Sequence, residues 1–180
     1  MAKEILVLTG SPRKNGNTAA LADAFCQGAE EAGHRVHRVH VGDGSVKPCM
    51  ACRYCHSHDG SCCQKDGMQV IDPLLDTADT VVFATPVYYS GFSAQLKAVI
   101  DRLFARLEKG YHVKECVLLT ASADDLGASG VQCLVSHYRE IADYLKWTDR
   151  GVVYAPGMWE PGQVRGTEAE AKARALGRAL

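Results

Sequence analysis

The sequence has no excess charge of either sign: 20 Lys and Arg stand against 21 Asp and Glu in 180 residues. The formal charge is −1 and the pI is near 6.6. That balance gives no electrostatic case for binding nucleic acid or an anionic membrane surface. No apolar run approaches the ~20 residues of a membrane-spanning helix. A strand pattern begins within a few residues of Met1, which leaves no room for a signal peptide, so a soluble cytoplasmic protein is expected. Repeats, low-complexity tails and composition breaks are absent, so residues 1–180 read as one domain. Two familiar nucleotide loops are missing as well. A Walker loop needs Gly, four residues, then Gly-Lys-Ser/Thr, whereas five residues separate Gly10 from Gly16 and Asn17 follows. The G-x-G-x-x-G dinucleotide fingerprint does not occur. There is no Ser-His-Asp or paired-carboxylate constellation, and Asp124 and Asp125 read as solvated loop residues.

What is present begins with Gly10-Ser11-Pro12-Arg13-Lys14-Asn15-Gly16-Asn17-Thr18, directly after the apolar run Ile5-Leu6-Val7-Leu8. Such a run suits a strand buried on both faces, as in a parallel sheet. Beyond the loop, Asn17 or Thr18 can cap a helix whose Leu21, Phe25 and Ala29 recur every four residues. Strand, polar glycine-bearing loop and helix start make an anion site, because free backbone N–H groups and the positive dipole end face the same point. Ser11, Asn15, Asn17 and Thr18 add side-chain donors and Arg13 adds a charge, a set suited to one terminal phosphate. An ordinary N-capped turn is the bland alternative.

Strand and helix patterns alternate along the rest of the chain. The first helix ends at Gly33. Residues 34–41 read as a polar edge strand in which His34, His37 and His40 are solvated. A short helix at 68–76 leads to the strand 80–84, and Ser93 caps a helix carrying Leu96, Ile100, Leu103 and Leu107. The strand 116–120, a helix marked by Val131, Leu134, Tyr138, Ile141 and Leu145, and the strand 147–155 follow. Residues 155–166 read as a surface connection, and Thr167 with Glu170 forms a capping box for a final helix. This alternation predicts a doubly wound α/β fold with a parallel sheet.

Ligands in such folds sit at the carboxyl ends of the strands, over the topological switch point. Three loops would converge there: Gly10–Thr18, Thr85–Phe92 and Ala121–Gly130. In the second, Pro86, Val87, Tyr88, Tyr89 and Gly91 offer flat side chains and open backbone for a planar ring system. In the third, small residues beginning with Ala121 and Ser122 allow close approach. An aromatic ring with a single phosphate describes FMN.

Eight cysteines are unevenly placed. Cys26, Cys116 and Cys133 stand singly in apolar-periodic segments and read as small core residues. Cys49, Cys52, Cys55, Cys62 and Cys63 fall within fifteen residues, a crowding that argues for metal or redox chemistry. Cys49-x2-Cys52-x2-Cys55 with Cys62 beyond lets one loop wrap a [4Fe–4S] cluster. Zinc and free redox thiols are the rivals, and spacing leaves Cys62 and Cys63 both open as the fourth ligand.

These pieces together resemble the iron–sulfur flavoprotein branch of the NADPH-dependent FMN reductase family. The resemblance rests on Gly10-Ser11-Pro12-Arg13 with Asn17-Thr18, on Cys49-x2-Cys52-x2-Cys55-x6-Cys62 before Asp66-Gly67-Met68, and on Ala78-Asp79. Thr85-Pro86-Val87-Tyr88-Tyr89 and Leu96-Lys97 with Asp101-Arg102 complete it, over roughly 6–102. It implies a flavodoxin-like, five-stranded parallel sheet of order 2-1-3-4-5 with the cysteine-rich insert 42–67 after strand 2. It further implies FMN held at its phosphate by Ser11, Arg13, Asn15, Asn17 and Thr18, with 86–91 along the ring. Counting back from Met68, it assigns Cys62 as the fourth ligand of the cluster. NAD(P)H or a ferredoxin-like donor and a homodimer or homotetramer are likewise implied. Asp66-Gly67 departs from the two aspartates common in the family at this point. The alternatives are a cluster-free NAD(P)H-dependent FMN or quinone reductase and a zinc or thiol redox sensor.

Overall fold

The structure, a computed structural model, describes residues 1–125 and 127–180; Leu126 and the side chains of residues 127–130 lie outside it. The apolar runs form five strands: β1 (Glu4–Thr9), β2 (Arg35–His40), β3 (Thr80–Pro86), β4 (Glu115–Ala121) and β5 (Thr148–Ala155). All neighbouring pairs are parallel, in the order β2-β1-β3-β4-β5. The helices are α1 (Asn17–Glu31), α2 (Met68–Leu75), α3 (Ala94–Arg102), α4 (Gly127–Leu145) and α5 (Glu168–Arg178). This is the flavodoxin-like α/β arrangement.

Alternation along the central strands divides the core in two. Leu6 and Leu8 of β1 join Met68, Leu96, Val99 and Leu134 on the α2–α3–α4 side, whereas Ile5 and Val7 join Leu21, Phe25 and Ala173 on the α1–α5 side. The α1 and α5 helices cross closely because Gly28 faces the Arg174 carbonyl and Gly177 faces the Phe25 carbonyl. An added Cβ would lie 2.0 and 2.1 Å from those oxygens.

β2 is the sheet edge, as its polarity predicts, although its histidines are half-buried rather than fully solvated. His37 Nε2 lies 2.7 Å from Glu4 Oε2, and His34 Nδ1 accepts from Lys3 N–H at 3.0 Å. Among the isolated cysteines, Cys116 is fully buried, Cys26 is half-buried and Cys133 is exposed. The expectation for Cys133 is corrected by helix geometry: the buried face of α4 is built by Val131, Leu134, Val135, Tyr138 and Ala142, and position 133 falls outside it.

Helix ends largely follow local rules. Ser93 Oγ accepts from Leu96 N–H, and Thr167 Oγ1 accepts from Glu170 N–H. The Glu170 carboxylate reaches back to Gly166 N–H at 2.6 Å, one residue beyond the usual capping-box partner. At α1 the expected Asn17 or Thr18 cap is replaced by Gly16, with no side-chain cap bond.

Candidate functional site: a cleft over the switch point and a cysteine-lined cavity

The missing cap at α1 has a chemical consequence. The first bond of the helix runs from Ala20 N–H to Gly16 C=O, which leaves the N–H groups of Asn17, Thr18 and Ala19 outside the helical ladder. They face the loop that leaves β1, next to the point where strand order reverses between β1 and β3. The loop itself is fixed from below. Gly10 N–H donates to Ala84 C=O at 2.8 Å and Gly10 C=O accepts from Ser93 Oγ at 2.7 Å. A Cβ at Gly10 would lie 2.6 Å from the Leu96 Cβ, so only glycine lets the loop sit this close to α3. Ser11 Oγ accepts from Arg13 N–H at 3.2 Å, and Gly16 N–H donates to Arg13 C=O at 3.1 Å.

These groups open onto a cleft of about 220 Å³. Ser11, Arg13, Asn17 and Thr18 line one side, and Pro86, Val87, Tyr88, Ala121 and Ser122 line the other. Three of the sequence-predicted residues are not part of its wall. Asn15 is exposed on the outside of the loop, Tyr89 projects fully into solvent, and Gly91 lies behind Tyr88. The reason is the turn at 88–91: Tyr88 and Gly91 exchange N–H and C=O bonds of 3.1 and 3.0 Å across Tyr89 and Ser90. Both central residues have positive φ, 45° and 61°, a conformation that favours glycine and costs of order 1 kcal/mol each elsewhere. Backbone strain of this kind clusters at ligand clamps.

Two further side chains have other duties than those expected. Asn17 does not offer its amide to the cleft: Nδ2 donates to the carbonyls of Met158 and Glu160 at 3.1 and 2.8 Å, and Oδ1 accepts from Val164 N–H at 3.1 Å. The group it leaves open at the helix start is its backbone N–H. Ser122 Oγ donates to Asp124 C=O at 2.7 Å and lies 2.6 Å from Tyr154 Oη. Asn17 therefore pulls the 155–166 segment, expected to be a surface connection, over the cleft. Met158, Trp159 and Pro161 complete the wall, and Trp159 and Tyr88 stand as exposed aromatic flanks. These three residues were missed. Their only sequence signal is an exposed-type Trp between two prolines, which carries no position without the Asn17 tether. The expected third loop, 121–130, is seen at Ala121, Ser122 and Ala123; Leu126 and the side chains of 127–130 lie outside the described residues.

The cysteine insert forms a separate region that shares no lining residue with the cleft. Its neck is pinched shut. Gly67 N–H donates to Ser45 C=O at 2.9 Å, and Asp66 accepts from the N–H groups of Lys47 and Met68 at 2.9 and 3.1 Å. Arg102 at the end of α3 clamps the same carboxylate through Nη1 at 2.9 Å and Nη2 at 3.3 Å, and donates to Lys47 C=O at 3.0 Å. Both side chains are buried, 2% and 5% exposed. Burial pushes the Asp66 carboxyl up, but the guanidinium and the two N–H groups outweigh it and hold it below the ordinary carboxylate range.

Above that neck the chain is irregular, with positive φ at Ala51, Arg53 and Asp59 and a single 3₁₀ turn at Tyr54–Ser57. Cys49, Cys52, Cys55 and Cys62 all line a cavity of about 730 Å³ between the insert, the α3 end and α4. Cys63 does not; its sulfur lies 3.7 Å from that of Cys52. The Tyr54 N–H and then Cys63 hold the Cys52 thiol below its ordinary value, and the same contact pushes Cys63 up. Among the described residues no three His, Cys, Asp or Glu side chains converge closely enough for a single ion. The donor set nonetheless fits an iron–sulfur group in kind: four soft thiols lining one cavity, none in a disulfide, beside a buried Arg102 whose Nε has no partner among the described residues.

The profile of the family described as NADPH-dependent FMN reductase matches residues 4–157. An iron-sulfur flavoprotein of Archaeoglobus fulgidus is 34% identical over 176 residues, 94% of this chain and 75% of that protein. The chain belongs to the NADPH-dependent FMN reductase family. An iron-sulfur flavoprotein of Methanosarcina thermophila is also 34% identical, over 63% of this chain and 59% of its own length. With the first relative, this means the chain spans between about three-fifths and three-quarters of the curated proteins described here. Among solved structures, the NAD(P)H:quinone oxidoreductase from Methanothermobacter marburgensis superposes with a TM-score of 0.77 at 19% identity, covering 100% of this chain and 96% of that one. An FMN-dependent NADH-azoreductase from Bacillus anthracis gives 0.74 at 14% identity, covering 98% and 99%. These two likenesses establish the fold. As a member of the family, this FMN reductase relative is an oxidoreductase and a flavoprotein. Among its described residues no helix is long and apolar enough to cross a membrane.

Proposed function

We propose that this flavoprotein passes electrons between a reduced donor, NAD(P)H or a ferredoxin-like protein, and an acceptor, using FMN in the switch-point cleft and a [4Fe–4S] cluster on Cys49, Cys52, Cys55 and Cys62. The reading includes self-association as a homodimer or homotetramer and a cytoplasmic location. The observation that carries it is the pairing of an uncapped helix start with a wall of four free thiols in one chain. The iron-sulfur flavoprotein name borne by its relatives supports the second half.

Bound flavin would supply two-electron chemistry that can be released one electron at a time, and a cluster would supply one-electron transfer. The protein's part is positioning and electrostatics. The N–H groups of Asn17, Thr18 and Ala19, with the Ser11 and Thr18 hydroxyls and the Arg13 charge, would neutralise a phosphate dianion. Pro86, Val87 and Tyr88 on one side and Trp159 on the other would flank the ring and keep water from one edge of it. Asn17 holds the Trp159 loop in place. At the insert, the Asp66–Arg102 clamp would keep the four thiols on a common base.

The absorbance spectrum of anaerobically purified protein, with iron, sulfide and zinc assayed on the same sample, tests this. Flavin bands over a broad absorption that bleaches with dithionite, with about four irons per chain, are the expected result. Flavin without iron after reconstitution would leave the cluster-free NAD(P)H-dependent reductase. No flavin after adding FMN would overturn the cleft assignment.

A second reading is favoured by one contact, the 3.7 Å approach of Cys52 and Cys63. In a thiol sensor these two would give up two electrons and two protons to a disulfide oxidant such as oxidised glutathione and form a bond. Alkylation mass spectrometry of the oxidised protein would then find a reversible Cys52–Cys63 link and no iron.

A further inference from the structure

We propose that Arg102 is a positioning residue for the metal–thiolate site, donating its Nε–H to the Cys62 sulfur and thereby stabilising the reduced cluster. The inference rests on the cluster reading above and deepens it. It begins from an unspent donor. Arg102 is buried at the end of α3, and its two terminal nitrogens are consumed by Asp66 and by the Lys47 carbonyl. Its Nε is fully buried with no hydrogen-bond partner among the described residues. A buried donor left unmade costs about 1–3 kcal/mol, and more on a charged group, so such a group calls for an acceptor.

The surroundings say which acceptor. Arg102 lines the same cavity as Cys49, Cys52, Cys55 and Cys62. Arg102 and Cys62 lie close enough to interact electrostatically. Asp66 already takes the guanidinium and two backbone N–H groups, and the Lys47 carbonyl is paired. A thiolate sulfur of a cluster is the kind of soft, negative acceptor that fits a lone N–H, and hydrogen bonds to cluster sulfurs are among the factors that set its potential. Cys62 lines the cavity with Arg102 and Cys63 does not, which favours Cys62 over Cys63 as the fourth ligand.

An internal control lies one turn further on. Arg106 is also buried, also has an unpartnered Nε, and also ties α2 through the Asp72 carbonyl and the Asp76 carboxylate. It does not line the cavity. If the effect of Arg102 were only to hold the fold together, Arg106 would share it.

The test uses the full-length reconstituted holoprotein and reads the midpoint potential of the cluster by EPR-monitored redox titration. Arg102→Lys keeps the charge but loses Nε–H and the planar fork; Arg102→Gln loses the charge as well; Arg106→Gln is the control. Folding and FMN affinity are checked by circular dichroism and flavin titration. Both Arg102 variants are expected to disfavour reduction, Arg102→Gln by about tenfold in the one-electron equilibrium or ~59 mV. Arg106→Gln is expected to titrate as wild type. If Arg102→Gln folds but binds no iron, the Lys variant supplies the potential. A loaded wild type whose Arg102 variants keep full iron and an unchanged potential overturns this inference alone. A wild type that takes up no iron overturns the cluster reading, and the inference falls with it.

Discussion

The switch-point cleft and the cysteine cavity are built on opposite principles. The cleft is made mainly of backbone, held by regular elements on every side: Gly10 is bonded to β3 and to the α3 cap, and the helix start is left open by Gly16. The cysteine cavity is larger and stands on an insert with one 3₁₀ turn, anchored at its neck by a buried ion pair and the backbone bonds around it. The difference teaches that a loop with an open helix start can be read from local sequence because strand, loop and helix start specify it together. A thiol site on an irregular loop depends on what clamps the loop.

Removing the clamp should give the largest effect. Asp66→Ala leaves Arg102 as an uncompensated buried charge, so denaturant unfolding should show a loss of about 3–5 kcal/mol. The pH dependence has a definite sign. The folded carboxyl titrates below its unfolded value of about 3.9, so its stabilisation is complete above that pH and is lost as pH falls through the lower, folded value. Thermal unfolding of wild type should therefore weaken with acid below about pH 4 more steeply than that of Asp66→Asn. Equal acid sensitivity would break the contrast between the two regions.

Asn17→Ala comes next. It removes three hydrogen bonds to the 158–164 segment, for a loss of about 2 kcal/mol in stability together with weaker flavin binding. Unchanged FMN affinity would show that the Trp159 wall is not needed. Arg13→Ala, on the exposed rim, should leave stability unchanged and weaken FMN about tenfold, or ~1.4 kcal/mol, with the difference shrinking at high salt. The smallest effect concerns the isolated cysteines. Iodoacetamide at pH 8 should label exposed Cys133 readily and spare Cys116, whose thiol burial pushes up to about 11. Peptide mapping reads the ratio.

Much of the fold was legible because its signals are local. Apolar runs such as Val81-Val82-Phe83 and Cys116-Val117-Leu118-Leu119 can only be central strands, and the polar His34–Val41 stretch only an edge. Ser93 and Thr167 cap the helices they precede because a cap needs only its next three residues. The errors differ in range. Asn17 looked like a cap and a phosphate donor, yet its amide meets residues about 140 positions away, which no local pattern announces. Tyr89 looked like a ring-stacking residue, but the 88–91 turn directs it to solvent. Cys133 failed by helical phase rather than by composition.

By itself, the amino-acid sequence determined the alternation of strands and helices, the polar glycine-bearing loop 10–18 at a helix start, and the concentration of thiols at 49–63, since each depends on residues within one or two turns of each other. Only the tertiary structure decided which side chains face the cleft, that Met158, Trp159 and Pro161 close it, and that Arg102 and Cys62 line one cavity that Cys63 does not. Those outcomes depend on contacts between distant segments, where burial and hydrogen-bond satisfaction override local preference.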